Sequence, residues 1–211
     1  MSDKPAAPQL PAVAAGFATR DPESPTFWDE RFQNGFIPWD QAGVPLAFKV
    51  FASGHAQAKV LIPGCGNAWE ALWLAQQGIA VQAIDFSAQA VMAARAQLGD
   101  YASVVGQADF FTFQPLFPPG WIYERAFLCA LPKARRADYA ARMAALLPPG
   151  GLLAGFFFFG ETLKGPPFGI SRDELDALLA PHFELLEDAP VTDSIPVFAG
   201  RERWLTWRRR G

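Results

Sequence analysis

The chain has 211 residues, 51% of them apolar, enough for one domain that buries roughly 70% of its unfolded surface. Its 18 basic and 21 acidic residues leave a formal net charge of −3, which lacks the basic excess of a nucleic-acid binder, and the apolar share excludes a wholly disordered chain. Aromatic residues are abundant, with 19 Phe and 7 Trp, and such residues can fill a core or line an apolar pocket.

Cys65 and Cys129 are far apart, and neither they nor His55 and His182 form a cluster of zinc-ligand spacing. No metal site and no disulfide framework is expected, and a reduced, cytoplasmic protein is the default. No apolar run approaches ~18 residues, so no membrane-spanning helix is expected. Pro5, Pro8 and Pro11 interrupt the mildly apolar start behind the lone Lys4, and no signal peptide is read there.

Residues 1–24 carry prolines at 5, 8, 11 and 22 without a periodic apolar pattern, and are expected to form a flexible arm ahead of a single domain, 25–211. Phe27 to Phe32 reads as a short helix with Trp28 and Phe32 four apart on one face, stopped by Asn34-Gly35. Pro45 opens a second helix whose apolar side is read as Leu46, Val50 and Phe51. Strands and helices then alternate. Lys59–Ile62 is a first strand, 63–67 a tight turn, Ala68–Gln77 a helix ended by Gly78, and Ile79–Ile84 a second strand ending at Asp85. Ser87 caps a helix with Val91, Ala94 and Leu98 inward. Ala102–Val105 reads as a third strand, Trp121–Leu128 as a fourth, and Leu152–Phe159 as a fifth. Between the last two lies a helix with Tyr139, Met143 and Leu146 on one side. Ser171-Arg172-Asp173-Glu174 fits a capping box ahead of Leu175, Leu178 and Leu179, and His182–Glu187 and Arg201–Arg208 read as final strands.

This order predicts an α/β fold: a doubly wound, mostly parallel, seven-stranded Rossmann-like sheet with helices on both faces and an N-terminal helical lid. Ligands of such sheets bind at the carboxyl ends of the strands, near the switch in strand order.

Gly64-Cys65-Gly66 lies there, where glycine permits close backbone approach and a helix N-terminus offers free N–H groups. Asp85 ends the second strand, where an acid can accept hydrogen bonds from ribose hydroxyls. A tight strand-to-helix turn with a helix-capping carboxylate would look the same. Ala68 and Trp69 occupy the region of the third glycine of a dinucleotide fingerprint, which favours a nucleoside ligand without pyrophosphate. Asp109-Phe110 would suit an adenine, as a carboxylate for the exocyclic amine and a ring for the base face, or would be a loop acid beside a core Phe. Trp28 and Trp39 could roof a ligand and face a cationic sulfonium, whereas Phe32 reads as core padding. Arg125, inside an apolar strand, requires a buried salt bridge or an anionic ligand. Phe156 to Phe159 reads mainly as a buried strand whose last members could wall a pocket.

In fixed order, Trp28, Phe32, 38–41 (Pro-Trp-Asp-Gln), 62–66 (Ile-Pro-Gly-Cys-Gly), 85–87 (Asp-Phe-Ser), Asp109-Phe110, 124–132 (Glu-Arg-Ala-Phe-Leu-Cys-Ala-Leu-Pro) and 165–168 (Gly-Pro-Pro-Phe) resemble the thiopurine S-methyltransferase superfamily. The Pro-Gly-Cys-Gly turn, Trp-Asp-Gln and 193–196 (Asp-Ser-Ile-Pro) look most like its plant-type thiol, halide and thiocyanate branch; 124–132 and 165–168 look more like the thiopurine branch. The resemblance implies an S-adenosylmethionine-dependent methyltransferase acting on a small molecule; a monomer is the default, and the charge balance and the lack of a long apolar run argue against nucleic-acid and membrane partners. It assigns the cofactor to Trp28, Phe32, Trp39, Gly64, Asp85, Ser87, Asp109 and Phe110, and the acceptor to Arg125, Phe157 and Phe168. Phe32 stands where the plant-type pattern has a second Trp, and Phe157 where it has a Tyr near the acceptor. The rival readings are an NAD-dependent Rossmann oxidoreductase and a cofactor-binding domain without turnover.

Overall fold

The computed structural model describes residues 16–162 and 164–211. Its strands are β1 (Val60–Pro63), β2 (Val81–Asp85), β3 (Val105–Gln107), β4 (Trp121–Arg125), β5 (Leu152–Phe158), β6 (Phe183–Pro190) and β7 (Glu202–Arg209). Its helices are α1 (Pro25–Gln33), α2 (Leu46–Gly54), α3 (Trp69–Gln76), α4 (Ala88–Leu98), α5 (Arg136–Leu146) and α6 (Arg172–Leu179). The seven strands form one sheet in the order β3-β2-β1-β4-β5-β7-β6. Pairings from β3 through β5 are parallel, while β7 runs antiparallel to both β5 and β6. Strand order reverses between β1 and β4, so the crevice expected of a doubly wound sheet opens above these two strands.

Strand alternation divides the core into two layers. Val60 and Ile62 of β1, Tyr123 of β4 and Phe156 of β5 face α2, α3 and α4; Leu61, Ile122, Leu153 and Phe157 face α5 and α6. Both faces are therefore covered, which is what the near-continuous apolar strands require. The two side-chain caps read from the sequence form. Ser87 Oγ accepts from Ala90 N at 3.1 Å, and Ser171 and Glu174 make a reciprocal capping box on α6.

Three local expectations are corrected. On α2, Leu46 and Val50 are 68% and 65% exposed, and the inward residues are Phe48 and Ala52. Burying the Phe48 ring against Trp73, Trp121 and Tyr123 sets the rotation of this helix. Of the segment expected as the third strand, Ala102 to Val104 belongs to a 3₁₀ turn, Gly99–Val104, and Val105 opens β3, which runs closer to Asp109. The fourth strand stops at Arg125 rather than Leu128 because Ala126 adopts φ 57°. The buried Glu124 fixes that bend, accepting from Phe127 N and Leu128 N, both at 2.9 Å, and from the Tyr139 hydroxyl at 2.7 Å.

Residues 1–15 of the expected arm lie outside the described residues. Residues 16–24 are held to α1: Thr19 N and Oγ1 donate to Glu30, and the Trp28 indole donates to Pro22 O at 2.9 Å. In turn α1 is tied to α4, because Asp29 accepts from Ser87 Oγ at 2.6 Å and Gln89 N at 3.0 Å. These bonds set the first helix across the carboxyl end of the sheet, as a lid. No helix among the described residues is long and apolar enough to cross a membrane.

Candidate active site

A cavity of about 1010 Å³ opens at the carboxyl ends of β1, β2 and β4. Small-molecule sites span ~300–1,000 Å³, so it has room for two ligands side by side. Its floor is the turn after β1. Gly64 and Gly66 adopt φ 59° and 51°, and Ala68 joins them at 57°, a left-handed conformation that is costly for a residue with a Cβ. At Gly64 a second constraint applies, since an added Cβ would lie 2.5 Å from Phe127 Cδ2. The glycine thus lets the Phe127 ring close against the turn.

Asp85 leaves the end of β2 buried at the edge of the cavity. Its oxygens accept from Gly66 N at 3.0 Å and Ser87 N at 2.9 Å. Burial pushes this carboxyl up to about 6, against the opposing pull of those N–H donors. Each oxygen keeps a lone pair for a hydroxyl donor from the cavity. Asp109, after β3, also reaches the cavity and accepts from Phe111 N at 2.9 Å. Phe110 beside it is buried edge-on to Phe127, with ring centroids 5.1 Å apart.

The opposite wall is aromatic. Trp28 and Trp39 meet edge to face at 5.4 Å, and Phe32 follows at 6.4 Å from Trp39. The loop bearing Trp39 is latched to the floor through Asp40, which accepts from Trp69 Nε1 at 3.1 Å and from Asn67 Nδ2. Phe168 closes another side. Its N–H donates to Cys129 O at 2.6 Å, and its ring lies where a Cβ on Gly165 would stand.

Of the sequence-derived site residues, Trp28, Phe32, Trp39, Gly64, Asp85, Asp109, Phe110, Arg125 and Phe168 meet at this cavity. Two do not reach it. Ser87 is fully buried, with its hydroxyl committed to Asp29 and Ala90; it serves Asp85 through its backbone N–H. Phe157 is 1% exposed and packs toward α5 and α6, because odd positions of β5 point away from the Arg125 face. The choice left open for Arg125 resolves as an ion pair: its Nη1 meets Glu70 Oε1 at 2.7 Å, and the Tyr123 hydroxyl donates to the same oxygen at 3.2 Å.

Several lining residues were missed. Glu70 sits in an apolar-looking helix, and the one available signal was an acid one turn past the glycine turn. Asp40 lay in the Trp-Asp-Gln segment without an assigned role. Nothing in the sequence marked Phe127 as the ring against Gly64. Arg31 is 3% exposed, its guanidinium over Phe27 and Phe17 at 3.2 and 4.5 Å from their centroids.

The sheet order, with β7 antiparallel between β5 and β6, is the α/β fold class shared with solved methyltransferases. The chain superposes on 1,6-didemethyltoxoflavin-N1-methyltransferase of Burkholderia thailandensis, solved with S-adenosylhomocysteine, at a TM-score of 0.73 and 19% identity, covering 98% of this chain and 100% of that one. Magnesium protoporphyrin IX methyltransferase of Synechocystis, solved with S-adenosylmethionine, superposes at 0.64 with 17% identity over 92% and 99% of the two chains. Within that class the family is also shown. The model of the thiopurine S-methyltransferase (TPMT) family matches residues 23–210, and the chain belongs to that family. A thiopurine S-methyltransferase of Vibrio cholerae is 33% identical over 180 residues, 75% of this chain and 81% of the relative. A probable thiol methyltransferase of Arabidopsis thaliana is 29% identical over 192 residues, 86% and 84% of the two chains. Family membership makes the protein an S-adenosylmethionine-dependent S-methyltransferase.

Proposed function

We propose that this cavity binds S-adenosylmethionine and a small soft nucleophile (a thiol, thiopurine, thiocyanate or halide) and moves the methyl group between them by in-line displacement. The observation that carries this reading is Asp85: a buried acid, fixed by two backbone N–H donors, beside a glycine turn on one side of a cavity walled by indoles on the other.

The residues fit such a cofactor. Asp85 would accept the ribose hydroxyls; Asp109 and Phe110 would meet the adenine; Trp28, Phe32 and Trp39 would cover the sulfonium region, where aromatic faces favour a cation. Gly64 admits the Phe127 ring against the turn that would floor that ligand. When bound, S-adenosylmethionine supplies an electrophilic methyl carbon on a positively charged sulfur. A thiol acceptor would shed its proton to solvent, the new bond forming from its sulfur electron pair as the carbon–sulfonium pair returns to the departing thioether. The chain's part is alignment and exclusion of water, by Phe168 on one side and the indoles on the other. Such acceptors need no strong general base, and Arg125 and Glu70 form a neutral pair in the wall.

We further read residues 25–211 as a single domain behind an arm, acting as a cytoplasmic monomer without nucleic acid. Titration calorimetry tests the cofactor, with S-adenosylhomocysteine expected to bind and NAD expected not to. An acceptor panel with methyl-labelled cofactor tests the chemistry. Binding of NAD alone would restore the oxidoreductase reading, and cofactor binding with no label transfer to any acceptor would leave a binding domain.

A further inference from the structure

Three phenylalanines and an acid make up most of the turn after β3, Asp109 to Phe113, and this turn presents Asp109 and Phe110 to the cavity. Its start is fixed from the sheet, where Ala108 N donates to Asp85 O at 3.0 Å. It closes on itself through Asp109: Phe113 N donates to Asp109 O at 2.9 Å, and Phe111 N to Asp109 Oδ1 at 2.9 Å. Bonds within a turn shape it without setting its tilt against the sheet.

The tilt is held from α5. Arg142 Nε donates to Phe110 O at 3.1 Å, and its Nη2 donates to Phe113 O, so one guanidinium spans the turn from its buried ring to its last residue. A planar fork suits two carbonyls at once, which a single ammonium does not. Arg142 is half-buried, and among the described residues no carboxylate lies within 4 Å of it. Nor does it line the cavity. Arg135, just ahead of α5, differs: it lies over the Phe111 ring, 4.0 Å from the centroid, and shares its charge with Asp138 and Glu23. The donors of Arg142 go to the main chain of the turn, and a carbonyl left unpaired beside the buried Phe110 would be costly.

We infer that Arg142 is a positioning residue for the cofactor's base: it holds the 109–113 turn so that the Asp109 carboxylate meets an exocyclic amine, and thereby sets the preference for an aminopurine over an oxopurine. The inference rests on the adenine reading of Asp109 and Phe110 above, and adds the residue that acts through them. Asp109 spends Oδ1 on Phe111 N, which leaves Oδ2 to accept from the amine. An oxopurine brings a carbonyl to the same place, where two acceptors would face each other. No cation lies within 4 Å of Asp109 among the described residues, so the aim of its carboxylate depends on the backbone that carries it.

The test compares, by titration calorimetry, S-adenosylhomocysteine with S-inosylhomocysteine, in which a carbonyl replaces the exocyclic amine. The native protein is expected to prefer the adenosyl ligand by about tenfold, as for one hydrogen bond exchanged for a facing pair of acceptors. Arg142→Met should lower that ratio to about two, mainly by weakening the adenosyl ligand, and Arg142→Lys, which keeps the charge without the fork, should fall between. In an Asp109→Ala background, Arg142→Met should leave the ratio where Asp109→Ala has put it, since the one residue acts through the other. Urea midpoints report stability separately, and Arg142→Lys carries the comparison should Arg142→Met fail to fold. A native preference unchanged in the Arg142 variants overturns this inference alone, as do equal losses for both ligands, the mark of a purely structural role. A native ratio of one removes the amine from Asp109, and the adenine reading falls together with the inference.

Discussion

Glu70 and Arg125 meet at 2.7 Å in the cavity wall, from α3 and the last residue of β4. Their side chains are only 11% and 17% exposed, so each is the other's main source of neutralisation. Arg125→Ala should leave Glu70 with the Tyr123 hydroxyl alone and destabilise the fold by about 2–4 kcal/mol, near the lower end of broken buried pairs. The double replacement Glu70→Leu with Arg125→Met should recover most of that loss. Urea unfolding of the three variants checks it; an Arg125→Ala midpoint within error of the native one would mean that the pair contributes nothing.

Gly64→Ala should destabilise by about 2–3 kcal/mol, combining a left-handed φ with a clash against Phe127. Adding Phe127→Leu removes the clash and leaves the dihedral cost, so roughly half of the loss should return. Thermal unfolding separates the two contributions. No recovery in the double variant would show that the ring is not what the Cβ meets.

Ser87 and Phe157 separate structural from ligand-facing roles. Ser87→Ala removes an N-cap and should cost about 1 kcal/mol. Phe157→Ala empties a buried site and should cost about 3–5 kcal/mol. Neither changes the cavity lining, so S-adenosylhomocysteine affinity measured where the protein is still folded should match the native value. A tenfold loss for Ser87→Ala would return its hydroxyl to the site.

Stability should fall as pH rises through neutrality. Burial pushes Glu124 up to about 7 and Asp85 up to about 6, so the folded chain binds protons that the unfolded chain has already released. Unfolding then releases protons across the interval from the ordinary carboxylate range to those values, and the stabilisation of the protonated forms is lost as each group ionises. The Glu124 contribution is on the order of 3 kcal/mol between pH 5 and 8. Urea midpoints at pH 5.5 and 8 measure the slope, and Glu124→Gln should flatten its upper part. A midpoint that rises with pH in that interval would contradict the assignment.

Cofactor affinity should move the other way. Ionised Asp85 offers lone pairs on both oxygens, and a proton removes one of them. S-Adenosylhomocysteine should bind several-fold more tightly at pH 7.5 than at pH 5.5, with the midpoint near 6. Asp85→Asn should weaken binding by about tenfold or more and abolish the pH dependence, since its amide must face either Gly66 N or Ser87 N with a donor. A pH profile retained in that variant would assign the titration to another group.

Local signals in the chain determined the alternation of elements, the caps at Ser87 and Ser171, the glycine turn and the acid ending β2, because each rests on contacts within a few residues. The family motifs carried the reaction class for a related reason: fixed residue types in fixed order mark positions that converge in space. Only the tertiary structure decided how those side chains are used. The rotation of α2 depends on what Phe48 can pack against, the end of β4 on a carboxylate held from α5, and the partner of Arg125 on a helix 55 residues earlier. Phe157 turns away because alternation along β5 points it to α5 and α6, and the Ser87 hydroxyl is withdrawn because Asp29 and Ala90 N hold it.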